Sequence, residues 1–390
     1  RKTAIQTPVV LGIDLGTTVL KTAAFDARTG ECLGRAGARL PVRTAAGGVW
    51  EQSLPDIDRA IAETAAGVRR KIGRRWASVS GIGLTSQAGS GLLADRDTGN
   101  ALTPMLLWSD SRGGEFLAGI AKKKPAVFWP KLALWAGPAM GLGRFLWLKR
   151  EYPAVLRRRP MYVGAGEYGY HRLTGIWRQD AGNALQVGVY QVAGRCLDRR
   201  PMDLVGIRPD SVAPLRQGHE RHPLSAKGAR LLGLMPGIPV VGPFFDQEAG
   251  YLSAAVARRR PLQVSLGTAW VGNFGLPDKA PGESGFMIVV PDPRETEGTR
   301  RNKLLVQALM TGNVAWDWAL RTFADTDPAR AISRATRIFD EALLPPDGLV
   351  CLPWFNRSNP VFAEAFGGGT FFGMHATTPP ADLLRAVASG

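Results

Sequence analysis

One stretch near the N-terminus, residues 9–26, restricts the possible folds more than any other and reads VVLGIDLGTTVLKTAAFD. An apolar run leads to Asp14, a Gly-Thr-Thr turn follows, and a second run of β-forming residues ends at Asp26. This order predicts a β-hairpin with a polar tip. Glycine lets the backbone come close to a ligand, and the neighbouring hydroxyl and N–H groups can surround an anionic oxygen. The tip is therefore either a phosphate site or an ordinary hairpin turn.

Length and composition predict a globular protein with two domains. The 390 residues are long for a single core, and 45% of them are hydrophobic. No apolar run approaches the roughly 18 residues needed to cross a bilayer, so we expect no membrane partner. Three widely separated cysteines without a CxxC pair predict neither a disulfide framework nor a zinc site, and they favour a reducing cytoplasm: Cys32, Cys196 and Cys351.

The chain is strongly basic, with a formal net charge of +16 from 49 Lys and Arg against 33 Asp and Glu. Such a charge raises nucleic acid as a possible partner. The basic clusters, however, are short, separated and close to predicted helix ends, where cations complement the helix dipole. They also lack the interleaved aromatic residues of a single-strand platform. We therefore favour solvated helix ends and expect no nucleic-acid partner.

The next polar segment is predicted to follow a helix and a strand. Ser53 is a candidate N-cap, apolar residues then follow at helical spacing, and Gly73 ends the helix. Residues 79–84 alternate as a strand and lead into the polar segment TSQAGS, which contains Gln87. Strands that follow helices in open α/β sheets end where ligands bind. Residues 181–240, in contrast, are predicted to be irregular.

Two carboxylates stand at junctions where they have either a catalytic or a structural role. The segment LWSDSR places Asp110 two residues before Arg112, and this pair could instead cap and neutralise the following helix. The apolar run at 239–245 leads directly into Asp246, with a helix predicted over 247–257. A carboxylate at such a junction is either an N-cap or a catalytic group held at a cleft.

The hairpin pattern recurs in the second half of the chain. Shifted by 251 positions, Leu-Gly-Thr at 15–17 falls on Leu-Gly-Thr at 266–268, and Asp14 falls on Ser265. Strands and helices follow the second turn in the same order as the first. Two such halves suggest duplicated α/β domains that face each other over phosphate. No GxxxxGK[ST] sequence is present, which argues against a P-loop kinase.

These pieces together resemble the FGGY carbohydrate kinase family of the actin-like ATPase superfamily. The resemblance runs from about Val9 to the last residue and rests on the order and spacing of six segments: IDLGTTVLK, WEQ, TSQAGS, LWSDSR, FDQEAG and SLGTAWV. It implies an α/β fold of two ribonuclease-H-like (actin-like) domains with an interdomain cleft. We expect the N-terminal domain over residues 8–245 and the C-terminal domain over residues 246–390.

The resemblance also implies residue roles for ATP, Mg²⁺ and a sugar. Asp14 would bind Mg²⁺ through water, and Asp246 would accept the proton of the sugar hydroxyl. Lys21 could also reach phosphate, but we favour a solvated strand lysine. The phosphates would meet the two Gly-Thr turns, at Gly16, Thr17, Thr18, Gly267 and Thr268. The sugar would lie near Gln87, Trp108, Asp110, Asp246 and Gln247, with Trp50 or Trp108 as an apolar wall.

Some segments depart from the family pattern. Ala88 and Gly89 replace the Met-His pair of xylulose kinases and the Arg-Glu pair of glycerol kinases, so neither substrate-gripping pattern is present. Residues 356–360 replace the more usual Gly-Glu-Arg-Thr-Pro. Family members continue beyond the position of Gly390 into a glycine-rich adenosine-binding motif. We therefore expect a second domain that is incomplete at its C-terminus and that holds adenine poorly.

Three functional hypotheses remain open from the sequence. The first is an ATP-dependent kinase for a small sugar, sugar acid or polyol, such as a pentulose or an aldonate, and a homodimer is compatible with it. The second is an actin-like ATP-binding protein without sugar kinase activity, which leaves Asp246 and the TSQAGS segment unexplained. The third is a sugar-binding pseudo-kinase that has lost its nucleotide.

Overall fold

The computed structural model describes residues 7–132, 137–256, 261–266, 270–276, 288–294, 302–309, 312–354 and 368–390. Predictions at Gly267, Thr268 and residues 356–360 lie outside the described residues. The α-helices are α1 (Leu54–Ile72), α2 (Leu117–Ala121), α3 (Met140–Glu151), α4 (Pro153–Leu156), α5 (Ala165–Thr174), α6 (Ala181–Val187), α7 (Arg199–Val205), α8 (Ala226–Leu232), α9 (Asp246–Ala255), α10 (Gly312–Ala319), α11 (Pro328–Glu341) and α12 (Pro380–Ser389).

Among the described residues, the strands form two main sheets, a short three-stranded sheet and three two-stranded pairs. They are β1 (Val9–Leu15), β2 (Val19–Asp26), β3 (Cys32–Arg39), β4 (Arg43–Ala45), β5 (Val49–Gln52), β6 (Val79–Ser86), β7 (Leu92–Ala94), β8 (Met105–Leu106), β9 (Met161–Val163), β10 (Tyr190–Gln191), β11 (Cys196–Leu197), β12 (His222–Pro223), β13 (Pro239–Phe245), β14 (Leu262–Leu266), β15 (Trp270–Leu276), β16 (Ile288–Pro291), β17 (Lys303–Leu309), β18 (Val350–Leu352) and β19 (Thr370–Phe372). The mixture confirms the predicted α/β class.

The first sheet has the strand order β12-β13-β6-β1-β2-β3. The strands β1, β2 and β3 form an antiparallel meander, whereas β6 and β13 continue the sheet in parallel with β1. The first predicted hairpin is confirmed, with β1 and β2 joined through the tip at residues 16–18. Because the parallel strands end at the same edge, the residues after β1, β6 and β13 come together there.

Helices cover one face of this sheet and leave the other face for the site. Along β1 the alternate residues Val9, Leu11, Ile13 and Leu15 are buried and pack with residues of α1, α5 and α8. Successive side chains on a strand point to opposite faces, so Asp14 must lie on the side away from these helices. The helix α1 itself begins after Ser53 and ends at Gly73, as predicted, although Ser53 makes no side-chain capping hydrogen bond.

The second sheet, in the order β14-β15-β17-β16, carries the second hairpin. Strand β14 ends 251 positions after β1 ends, and β15 begins 251 positions after β2 begins. The pairing next to the turn differs, since Leu15 pairs with Leu20 but Leu266 pairs with Trp270. The repeat predicted from the sequence therefore exists at the level of strands, with a different hairpin register.

The region predicted to be irregular, residues 181–240, contains three short helices, so that prediction is wrong. Each of α6, α7 and α8 spans seven residues, begins after a side chain that caps it and ends at a glycine in the left-handed region. The capping residues are Asp180, Asp198 and Ser225. Seven residues are too few to establish a helical period in the sequence, and only the capping and ending residues marked these helices.

One hydrophobic cluster connects residues on both sides of the predicted domain boundary at 245 and 246. It includes Leu106, Tyr162 and Val212 from the first part of the chain and Tyr251 and Val271 from the second. The boundary itself stays a prediction. Among the described residues, no helix combines the length and apolar character required to cross a membrane.

Candidate active site

The tip of the first hairpin brings Asp14 and Lys21 to face each other. The two residues pair across β1 and β2, and the Lys21 Nζ atom lies 3.5 Å from the Asp14 Oδ2 atom. Burial raises the pKa of Asp14, while the lysine acts in the opposite direction. About a third of the Asp14 side chain remains exposed, at 33%. The carboxylate is therefore available to a cation, and Lys21 lies close enough to share an anionic ligand with it.

The tip threonine Thr17 joins the predicted phosphate site to the predicted sugar site. Its hydroxyl donates to the Gln87 Oε1 atom at 3.1 Å and accepts from the Trp108 Nε1 atom at 3.0 Å. The Gln52 side-chain amide donates to its carbonyl oxygen. The structure thus brings together Thr17, Gln87 and Trp108, and adds Gln52, which the sequence marked only as part of the WEQ segment. Thr18 is the exposed residue of the tip.

Asp110 lies near this network and holds its own loop together through its buried carboxylate. Its side chain has no exposed surface, and both carboxylate oxygens accept from the Arg112 guanidinium. The Trp50 N–H donates to the same carboxylate at 2.9 Å. Arg112 also reaches Glu51 at 2.7 Å and lies 3.9 Å from the centre of the Trp147 ring. Burial and the ion pair with Arg112 occupy this carboxylate, and contact between Asp110 and a sugar stays a prediction from the sequence.

The buried Arg144, which no sequence pattern marked, supports the same loop through hydrogen bonds to its backbone. The Arg144 guanidinium donates to the carbonyl oxygens of Gly89, Trp108 and Asp110. Burial lowers the pKa of Arg144 to about 10, so it stays charged at neutral pH. Arg144 reaches the loop because α3 packs closely against Gly113. This packing requires glycine at position 143, where a Cβ atom would lie 2.2 Å from the Gly113 carbonyl oxygen. The glycines of α3 were the only signal in the sequence.

Asp246 stands at the other end of the site, as the first residue of α9 after β13. It is half-buried, and its Oδ1 atom is buried without a hydrogen-bond partner. Burial, with a smaller contribution from the Asp14 carboxylate, raises the pKa of Asp246 to about 7, although hydrogen bonds from Gln247 and the charge of Lys21 act in the opposite direction. A carboxyl group with such a pKa can hold or release a proton near neutral pH.

Gln247 connects this end of the site to the second sheet. Its Oε1 atom accepts from the Asn273 amide at 3.0 Å, and Asn273 is fully buried on β15. The same amide donates to Gln263 on β14. Gln247 therefore links the residue next to Asp246 to the second hairpin, whose tip residues lie outside the described part of the chain.

The donor set fits a hard divalent cation such as Mg²⁺. Asp14 and Asp246 lie close enough that the Asp14 charge raises the pKa of Asp246, and the Asp246 Oδ1 atom has no partner. Among the described residues no group of three or more His, Cys, Asp or Glu side chains could hold a metal. Magnesium commonly takes only one or two carboxylates and completes its shell with water and substrate phosphates. Two carboxylates that influence each other, one of them beside the Gly-Thr turn, are consistent with that pattern.

The chain is similar to known carbohydrate kinases along almost its full length. It is 22% identical over 396 residues to the gluconokinase of Bacillus subtilis, covering 98% of this chain and 75% of that protein. It is 23% identical over 390 residues to the glycerol kinase of Agrobacterium fabrum, covering 97% of this chain and 75% of that protein. The crystal structure of the xylulose kinase from Rhodospirillum rubrum superimposes with a TM-score of 0.83 at 22% identity, covering 97% of this chain and 75% of that one.

The structural likeness confirms the predicted fold class, since this chain and those kinases share one fold. A family model described as the N-terminal domain of the FGGY family of carbohydrate kinases matches residues 9–253. That match covers more than half of the chain and contains Asp14, Gln87 and Asp246. The protein belongs to the FGGY family of carbohydrate kinases.

Proposed function

We propose that this protein transfers the terminal phosphoryl group of Mg-ATP to a hydroxyl of a small sugar, sugar acid or polyol, with Asp246 as the general base. The observation that carries the proposal is the carboxyl group of Asp246. Its pKa is raised to about 7, one oxygen has no partner, and the charge of Asp14 acts on it. Phosphoryl transfer needs a carboxylate near the attacking hydroxyl and donors around the phosphoryl oxygens.

The phosphate side of the proposed site is the first Gly-Thr turn. A Cβ atom on Gly16 would lie 2.6 Å from the Val19 carbonyl oxygen, so the tight turn requires glycine here. The backbone N–H groups of this tip would meet the terminal phosphate, and Lys21 would add a positive charge beside it. Asp14 would hold Mg²⁺, which supplies neutralisation of the charge that develops on the transferred group. In the second turn, Gly267 and Thr268 are proposed to contact the other phosphates.

The sugar side of the proposed site is made by Gln87, Gln247 and Trp108. Trp108 presents an indole face, and the exposed Trp50, 42% accessible, offers a second apolar wall. The amides of Gln87 and Gln247 can both donate to and accept from hydroxyl groups. Because Thr17 bonds both Gln87 and Trp108, a sugar seated on them lies next to the phosphate turn. Closure over both ligands would exclude water and limit wasteful hydrolysis of ATP.

The test is the substitution Asp246→Asn, which keeps the size of the side chain and removes the base. We expect sugar-dependent release of ADP to fall by ~10²- to 10⁴-fold, the usual contribution of a general base. Binding of Mg-ATP should persist, as measured by calorimetry. Turnover equal to that of the unaltered protein would contradict the assignment of Asp246.

A screen of pentuloses, aldonates and polyols for thermal stabilisation, with and without Mg-ATP, tests the substrate class. Sugar-dependent ADP release together with stabilisation by the same compound supports the kinase proposal. A response to nucleotide without any response to sugar would point to an actin-like ATP-binding protein. A response to sugar alone would point to a sugar-binding pseudo-kinase. Absence of a nucleic-acid or membrane partner, a homodimer and a cytoplasmic location stay predictions from the sequence.

A further inference from the structure

A cavity beside α3 lies outside the site described so far. It has a volume of about 160 Å³, and its lining includes Phe145 and Lys149 of α3, Leu156 at the end of α4 and Gly206 after α7. None of the residues that line it belongs to the proposed phosphate site or to the proposed sugar site. The cavity is therefore a separate candidate for the binding of a ligand.

One part of the lining is apolar and buried. Leu93 on β7 pairs with Tyr162 on β9, and the Tyr162 ring meets the Phe145 ring edge to face, with the ring centres 5.2 Å apart. The Tyr162 hydroxyl donates to the Gly141 carbonyl oxygen at 2.7 Å, so its polar atom is already satisfied. A protein cavity of ~150 Å³ with apolar walls accepts benzene. The cavity beside α3 can therefore hold an apolar body of about that size.

The other part of the lining is positively charged. Lys149, Arg159 and Arg208 line the cavity, and no Asp or Glu is among the described residues that line it. The Lys149 Nζ atom donates to the Val205 carbonyl oxygen at 3.4 Å and, within the described part of the chain, forms no ion pair. A Cβ atom on Gly206 would lie 2.8 Å from this Nζ atom, so glycine leaves the space in which the ammonium group lies. The cavity thus combines an unneutralised cation with apolar walls.

One carboxylate outside the lining, Asp210, is shared among three arginines. Its oxygens lie 3.0 Å from Arg208, 3.4 Å from Arg159 and 3.6 Å from Arg96. A single negative charge cannot neutralise three guanidinium groups, so they keep a net positive charge beside the cavity. Guanidinium groups pair with carboxylates and phosphates through two parallel hydrogen bonds. The buried Ser211 adds a hydroxyl group to the same lining.

We propose that this cavity is an effector site for a small organic oxyanion, a carboxylate or a phosphate monoester, whose apolar body is no larger than about a benzene ring. The charged group lies between Lys149, Arg159 and Arg208, and the body lies against Phe145 and Tyr162. Both parts of the ligand are needed, because exposed cations by themselves attract anions only weakly and salt screens that attraction.

The helix α3 connects this cavity to the loop of the proposed sugar site, and the effector role rests on that proposed function. Arg144, which donates to carbonyl oxygens of the loop, is followed directly by Phe145 in the wall of the cavity. Tyr162 packs against Gly91, two residues beyond Gly89, since a Cβ atom on Gly91 would lie 2.8 Å from the Tyr162 hydroxyl oxygen. A ligand that orders Phe145 and Tyr162 also supports the loop, so effector and sugar favour each other's binding.

Calorimetric titration with benzoate and with phenyl phosphate, without sugar or nucleotide, tests the chemistry of the ligand. Whichever of the two binds more tightly identifies the oxyanion. Benzamide keeps the ring without the negative charge and should bind at least ~10-fold more weakly than that anion. Inorganic phosphate keeps a charge without the ring and should also bind at least ~10-fold more weakly. Absence of binding by both anions, or equal affinity for benzamide or inorganic phosphate, would overturn the proposal.

Two variants test whether the anion binds in this cavity. We expect Lys149→Gln to weaken binding by ~10-fold and the double variant Lys149→Gln with Arg208→Gln to abolish it. Lys149 is exposed and Arg208 partly exposed, so both variants should keep the melting temperature of the unaltered protein. Lys122→Gln, at an exposed position after α2, is the matched control and should bind like the unaltered protein. Unchanged affinity in the double variant would place the anion elsewhere and overturn the proposal.

The same titration, repeated with a saturating sugar from the thermal screen, tests the effector role without measuring activity. We expect the sugar to increase the affinity for the anion by ~5-fold or more. Equal affinity would overturn the effector role, and a decrease would place the anion in the sugar site. Asp246→Asn should bind the anion like the unaltered protein. If that variant keeps its turnover while anion binding depends on Lys149 and Arg208, the base assignment fails and the cavity stands as a site.

Discussion

At the scale of single residues, the raised pKa that suits Asp246 to proton transfer also lowers the stability of the folded protein. Its folded pKa of about 7 lies above the ordinary value of 3.8 because burial and Asp14 penalise its charge. The folded state therefore binds more protons than the unfolded state between these two values, and stability falls as pH rises through this window. Above about pH 7 the full penalty is present.

The first prediction concerns the pH dependence of catalysis. A general base works only when it is ionised, so kcat/KM should rise with pH along a slope of one and level off above an apparent pKa near 7. Asp14→Asn removes a neighbouring negative charge and should lower that apparent pKa in the activity that remains. Steady-state rates measured from about pH 5 to about pH 9 provide the check. A profile without an inflection near neutrality would contradict the role of Asp246.

The second prediction concerns stability. Asp246→Asn should raise the free energy of unfolding above about pH 7 by up to about 4 kcal/mol, an upper limit because the side chain keeps some contact with solvent. Near pH 4 the variant and the unaltered protein should be equally stable, since Asp246 is then protonated in the folded state. Denaturant unfolding at both pH values measures the difference. Asp317→Asn, at an exposed position of α10, serves as the control and should change neither value.

At the scale of elements, the first hairpin is placed by strand alternation and by one glycine. Alternation sends the four apolar side chains of β1 under the helices and leaves Asp14 on the open face. The turn then closes because Gly16 has no Cβ, which would otherwise meet the Val19 carbonyl oxygen at 2.6 Å. The glycine that the tight turn requires is therefore also required by the proposed phosphate site.

The third prediction follows from this close approach. Gly16→Ala should destabilise the protein by about 1–3 kcal/mol, because the hairpin must shift to admit the methyl group. It should also raise the KM for ATP, since the N–H groups of the tip move. The matched control is Gly119→Ala in α2, where nothing lies within 4 Å of the added Cβ and a small gain in stability is expected. Equal melting temperatures for the two variants would show that the turn tolerates a side chain.

At the scale of the whole molecule, polar and apolar contacts run between the two main sheets. The Asn273 amide joins Gln247, next to the proposed base, to the second hairpin, and one hydrophobic cluster contains residues from both parts of the chain. Because of these contacts, a ligand that orders residues on one sheet also orders some residues on the other sheet. The expected consequence is that sugar and nucleotide favour each other's binding.

The fourth prediction tests this coupling with Asn273→Ala. In the unaltered protein, a non-hydrolysable ATP analogue should increase the affinity for sugar by ~5-fold or more, within the usual range of coupling free energies. The variant should lose most of that increase while the affinity for each ligand alone changes less. Calorimetric titration of sugar with and without the analogue measures both quantities. Asn100→Ala, at an exposed turn, should behave like the unaltered protein, and unchanged coupling in Asn273→Ala would refute the link.

Local patterns made much of this fold predictable. The first hairpin, the helix between Ser53 and Gly73, the strand before Gln87 and the strands on either side of the second Gly-Thr segment all follow from alternation, capping and spacing within short stretches. The helices α6 to α8 were missed because seven residues contain only two turns, and the tertiary contacts that stabilise them come from elsewhere in the chain. Asp180 was overlooked with them.

The sequence by itself indicated the family, through the order and spacing of six short segments. It also indicated the α/β class and the two carboxylates close to strand ends, because these depend on residues that are near neighbours along the chain. The tertiary structure alone decided which polar groups are free. It turned the Asp110 carboxylate inward to Arg112, placed Arg144 under the loop and set Asp180 against Glu248. Burial arises between residues that are distant in the chain, so no local pattern determines it, even for Asp110 and Arg112, which are two residues apart. Burial also raises the pKa of Asp246, on which the hairpin acts through the charge of Asp14.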